Sequence, residues 1–262
     1  MSPRSVKVVL GVALLVLAGS AALASAEVSQ RGTLRVAVSG KLTPTKLPRA
    51  GQAPIAVSVG GEITTTDASP APTLKSLTIE LNRNGRIDYA GLPVCPYDRI
   101  QPASSQRALH ACRSSLVGRG TFSAEISLSG QDPYPTQGKL LAFNGISKGR
   151  QVLFGQIYAP RPFATSFVIV FSIEQRAKGT YGTVLSASLP PGLRSWGKLT
   201  GIKLTLSRGY TYKGERRSYL SAGCPAPKGF PGASFPFARA SFGFEQGPTL
   251  SSTLTRSCKA RG

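Results

Sequence analysis

Leu74-Lys75-Ser76-Leu77-Thr78-Ile79-Glu80-Leu81-Asn82-Arg83 is the stretch from which the fold is read. From Leu77 to Leu81 apolar and polar side chains alternate, the period of a strand with one face buried and the other wet. The pattern returns 125 positions later as Leu199-Thr200-Gly201-Ile202-Lys203-Leu204-Thr205-Leu206-Ser207-Arg208. After each copy come a turn, a tyrosine and a Cys-Pro pair: Tyr89 with Cys95-Pro96, then Tyr219 with Cys224-Pro225. Arg119, Phe122 and Glu125 are echoed by Arg239, Phe242 and Glu245 at an offset of 120. Any one match is weak, because amphipathic strands resemble one another. Their common order points to an internal duplication.

The rest of the chain carries the same texture. Leu34 to Val38, Ile55 to Val59, Phe122 to Leu128, Val152 to Tyr158, Phe167 to Ile173 and Phe242 to Phe244 read as strands, with Gly, Pro, Asn and Ser clustered between them. The expected class is all-β: antiparallel sandwiches, built as two related halves with one short helix. The helix starts at Ser104 or Ser105, either of which can cap it, and runs through Cys112. The turn-rich segment 130–138 divides the halves into 27–131 and 132–262, with one continuous two-sheet core as the alternative.

Residues 1–26 read as a secretory leader: Arg4 and Lys7, an apolar run from Val8 to Leu23, then Ala24-Ser25-Ala26. Cleavage after Ala26 is expected, leaving a secreted, extracellular chain associated with the cell wall, with no later stretch long enough to span a bilayer as a helix. The whole chain has 32 Lys+Arg against 11 Asp+Glu. Without Arg4 and Lys7 the balance is 30 against 11, or +19. Such a surface attracts polyanions, and salt weakens the attraction.

Several chemistries lack their residues. One His and four scattered Cys leave no metal-ligand spacing, and no cofactor is expected. The four cysteines instead read as two bridges, Cys95 with Cys112 and Cys224 with Cys258, each closing a loop in its own half. His110 lies between Arg107 and Arg113 and has no acid near it in sequence, so it reads as a surface residue rather than a general base. The segment Glu80 to Asp88 resembles the front of a calcium loop, but Gly91 stands where the closing carboxylate belongs. Asn84-Gly85 reads there as the turn of a hairpin. Glu125 and Glu245 are the nearest approach to a glycosidase pair.

The most concentrated candidate binding surface is a hairpin over 208–219. Arg208, Tyr210, Tyr212, Lys213, Arg216, Arg217 and Tyr219 bring aromatic and basic side chains together, with Lys213-Gly214 as the turn. Offset arithmetic makes this copy four residues longer than its counterpart in the first half, so it is expected to project.

The leader, Leu47 to Pro54, Leu81 to Asp88, Gly91 to Pro96 and Tyr219 to Pro225 together resemble an uncharacterised family of exported proteins of high-GC actinobacteria. The resemblance covers most of the mature chain and implies export, but no activity or ligand. The expected function is therefore non-catalytic association with an anionic polymer or polysaccharide of the cell envelope, without specific nucleic-acid binding. The alternative is a sandwich-type carbohydrate-active hydrolase using Glu125 or Glu245.

Overall fold

The computed structural model describes residues 26–127, 130 and 132–261. The leader, apart from Ala26, lies outside the described residues. Along the chain come β1 (Glu27–Arg31), β2 (Leu34–Thr43), β3 (Lys46–Pro48), β4 (Ala53–Pro54), β5 (Ala56–Thr65), β6 (Leu74–Asn82) and β7 (Gly85–Ile87). Then follow α1 (Ser105–Ala111), β8 (Leu116–Ile126), β9 (Tyr134–Ser147), β10 (Arg150–Ala159), β11 (Thr165–Gln175), β12 (Tyr181–Ser188) and α2 (Pro191–Trp196). The chain ends with β13 (Lys198–Leu206), β14 (Gly209–Tyr212), β15 (Glu215–Ser218), β16 (Leu220–Ala222), β17 (Gly232–Phe244) and β18 (Leu250–Arg261).

A 13-stranded sheet in the order β1-β2-β5-β13-β8-β9-β10-β11-β12-β6-β17-β18-β3 dominates the molecule, antiparallel except where β3 joins β18. The protein is all-β. The sheet curls until its ends meet: Arg256 of β18 donates to the Glu27 carboxylate of β1 at 2.5 Å and to the Gly40 carbonyl of β2 at 2.6 Å. One face of each strand thereby turns inward. Val36, Val57, Leu77, Phe122, Leu140, Ile157, Leu185 and Phe242 are buried there as the period-two pattern requires.

The duplicated segments occupy equivalent places. Leu77 pairs with Phe242 and Leu81 with Ala238, while Ile202 pairs with Phe122 and Leu206 with Gly118. The offsets of 125 and 120 thus run through both ladders, and each repeated strand pairs with a partner from the other half. On their far sides the correspondence continues, with Ile79 opposite Leu185 and Leu204 opposite Val59. The order β1-β2-β5-β13-β8-β9 is followed by β10-β11-β12-β6-β17-β18, one series repeating the other with β6 and β13 exchanged. Both halves therefore share one sheet. The first series extends to Ser147 at the end of β9, past the division at 131, because β9 pairs with β8 along most of its length.

β9, β10 and β11 are covered on their outer face as well. Phe143, Phe154 and Val168 pack there against Ile100, Ala108 and the Cys95–Cys112 bridge. This double burial explains why Leu140-Leu141-Ala142-Phe143 and Val152-Leu153-Phe154 do not alternate. α1 stands where expected, its Arg107 amide held by the Ser104 hydroxyl at 3.3 Å. A second helix, α2, begins at Pro191, a residue suited to a first helical turn. The bridges are Cys95–Cys112 and Cys224–Cys258. Lys148 and Gly149, with φ of 51° and 72°, turn β9 into β10 in the left-handed region that tight hairpins demand. The hairpin expected at Asn84-Gly85 turns, but its return strand leaves β6: β7 joins β16 and β4 in a separate three-stranded sheet.

Candidate functional site

The hairpin of β14 and β15 forms on the expected turn, with Lys213 at φ 51° and Gly214 at φ 79°. It folds back onto the protein rather than projecting. Tyr212 lies so close over Gly91 that a Cβ there would run into its ring. Tyr210 donates from its hydroxyl to the Asp88 carbonyl at 3.2 Å, and burial is the main cause that raises its pKa, with Asp88 adding to it. Arg217 donates to Asp88 at 3.3 Å and Glu215 at 3.1 Å, and its guanidinium also sits 5.5 Å from the Tyr212 ring. Its hydrogen bond to Glu215 is the chief reason its pKa is raised. Arg208 donates to the Ser114 carbonyl.

Tyr219 is a core residue with no exposed surface. Burial drives its hydroxyl pKa upward. Lys213 and Arg216 remain exposed at the tip. Tyrosines that read as stacking platforms in the sequence are thus engaged in packing the hairpin down.

A broader basic surface lies on the outer face of β2, β5, β13, β8 and β9. Ser39, Gly60, Lys203, Thr121 and Lys139 stand side by side across these strands in one row. The next row runs Lys41, Ser58, Thr205 and Arg119. Lys41, Arg119, Lys139 and Lys203 are exposed, and none has an ion-pair partner among the described residues. Lys203 and Lys139 flank Thr121 from two strands apart, about 10 Å. Arg119 and Lys203 are diagonal neighbours about 7–8 Å apart. Between them stand only Ser, Thr and Gly, so the face is flat and its cations project. Glu62 stands beside Gly201 in the adjoining row.

The matched ladder of β6 and β17 differs at this position. There Glu80 lies opposite Arg239 and is also met by Arg176 at 2.9 Å. Hydrogen bonding from Arg239, opposed by burial, holds the Glu80 carboxyl below its ordinary range. Thr205 occupies the place equivalent to Glu80, opposite Arg119. Neither the buried acid nor the basic array was evident from the sequence, because Lys41, Arg119, Lys139 and Lys203 are scattered along the chain. The spacing-two pattern around Lys203 and Arg119 did mark both as outward-facing.

The two glutamates of the hydrolase alternative line different clefts. Glu245 forms an ion pair with Arg194. Glu125 sits opposite Lys198 and shares a polar cleft with Glu62. Trp196 is half-buried, its ring 5.6 Å from that of Phe167. No grouping of metal-binding side chains occurs among the described residues, and no helix among them is long and apolar enough to cross a membrane. No family model, curated protein or solved structure matches this chain.

Proposed function

We propose that this protein is exported, is not catalytic, and associates electrostatically with an anionic polymer or surface of the cell envelope. The array of Lys41, Arg119, Lys139 and Lys203 on one flat sheet face is the observation that supports the reading. Cations at about 7–10 Å spacing on a rigid sheet meet the repeated charges of a linear polyanion without ordering a loop. Six of the eleven acids are engaged in ion pairs: Glu27, Glu80, Asp88, Glu174, Glu215 and Glu245. Two disulfides are compatible with an oxidising compartment. Arg216 and Lys213 at the hairpin tip supply a second, smaller contact in this reading.

A polyanion and glycan array, read at two salt concentrations, tests the proposal. Polyanions of different backbone chemistry should all bind at low salt and be lost steeply as salt rises. Preference for a neutral glycan, or binding indifferent to salt, would overturn it. Hydrolysis that survives moderate salt and fails on Glu125→Gln or Glu245→Gln would establish the alternative instead.

A further inference from the structure

β7 leaves β6 after the Asn84-Gly85 turn and joins β16 and β4, while β12 stays paired with β6 as far as Asn82. Between β7, the segment 88–90, the end of β11 and the start of β12 lies an open cleft of about 500 Å³. That is within the range of small-molecule sites, about 300–1,000 Å³. Three guanidinium side chains line it, Arg83, Arg86 and Arg176, together with Gln52, Gln175 and Tyr89. Asp88 is the one acid among the lining residues.

These charges do not balance. Arg176 meets Glu80 at 2.9 Å and Glu174 at 3.3 Å, and Asp88 is held by Arg217. Arg86 is exposed and has no hydrogen-bond or ion-pair partner among the described residues. Arg83 meets no acid and donates to the carbonyls of Gly179 and Ala177, which hold it against the turn between β11 and β12. Two carbonyls take two of the five N–H donors of a guanidinium, so the others stay free. Two uncompensated guanidinium groups in one cleft match the double charge of a phosphomonoester, whose second pKa is about 6. Their planar forks suit phosphate oxygens, whereas a carboxylate brings half the charge. Neutral partners stand in the same cleft. The Gln175 carbonyl accepts from Thr183 at 3.0 Å and its amide nitrogen has no partner among the described residues, while Tyr89 is half-buried.

We propose that this cleft binds a sugar phosphate. Arg83 and Arg86 hold the phosphate, Gln52 and Gln175 hydrogen-bond the sugar hydroxyls, and the Tyr89 ring offers an apolar surface to the sugar ring. The cleft shares no residue with the basic array of Lys41, Arg119, Lys139 and Lys203, so it stands or falls separately from that face.

Calorimetric titration of the purified protein with glucose 6-phosphate tests this, with glucose, inorganic phosphate and glucuronate as comparisons. Glucose 6-phosphate should bind one per chain, inorganic phosphate and glucuronate each about tenfold more weakly, and glucose not measurably. Affinity should fall between about pH 7 and pH 5, as the phosphate takes up its second proton while arginine stays charged. Arg86→Gln, at an exposed position without a partner, should leave the melting temperature unchanged and weaken glucose 6-phosphate about tenfold. Replacing Arg119, Lys139 and Lys203 together by Ala should leave this binding as it was. Absence of glucose 6-phosphate binding, equal affinity for glucuronate, full affinity in Arg86→Gln, or loss in the outer-face variant would overturn the proposal.

Discussion

Glu80 lies directly opposite Arg239 across β6 and β17, and Arg239 closes an ion pair with it while Arg176 approaches the other carboxylate oxygen. The equivalent pair in the other half is Thr205 and Arg119. One cross-strand position thus carries a compensated charge in one half and an uncompensated charge in the other.

Installing the missing acid should therefore silence the basic face. Thr205→Glu places a carboxylate opposite Arg119, where cross-strand pairs of opposite charge attract by up to about 1 kcal/mol. Polyanion affinity at low salt should fall several-fold while the melting temperature holds or rises slightly. An affinity equal to that of the parent protein would show that Arg119 takes no part.

Replacing Arg119, Lys139 and Lys203 by Ala should reduce the slope of log affinity against log salt by about two to three units if each contacts one anionic group. Replacing Lys213 and Arg216 at the hairpin tip should change it less. Circular dichroism should report both variants folded, since all five side chains are exposed. A larger effect at the hairpin would return the principal contact to β14–β15.

Acid should act through Glu80. Its pKa is lowered in the folded protein from an ordinary value of 4.5, so the folded state binds protons there less readily than the unfolded chain. The stabilisation is complete above the ordinary value and is lost as pH falls through the lower folded value. Glu80→Gln should cost about 2 kcal/mol at neutral pH and flatten the fall in stability below pH about 4.5. Denaturant titrations at several pH values measure both. An unaltered acid limb would place the acid sensitivity in other carboxylates.

The first disulfide joins cysteines 17 positions apart and closes a loop over the outer face of β9 and β10. Changing Cys95 and Cys112 together to Ala should cost about 3 kcal/mol on the chain-entropy estimate. Hydrogen exchange should rise in 96–115 before it rises in β9. Uniform loss across the whole sheet would mean that the covering segment and the sheet unfold as one unit.

Much of this was already written in the sequence. Alternation at Leu77-Thr78-Ile79-Glu80-Leu81 determines strand and inward face, since the side-chain period of two is a local property of the backbone. Ser104 determines where α1 begins, and the twin pattern at 199–208 marks the second copy. Which strand pairs with which is not local. Only the tertiary structure sets β6 beside β17 and β13 beside β8, because neighbouring strands meet through hydrogen bonds between segments far apart in the chain. The same closure decides that Tyr219 is core and that the scattered Lys41, Arg119, Lys139 and Lys203 share a face. It also leaves an apolar cavity between inward faces of the sheet. Alternation fixes the side on which a residue lies; what stands beside it on that side depends on long-range pairing, which no single stretch of sequence encodes.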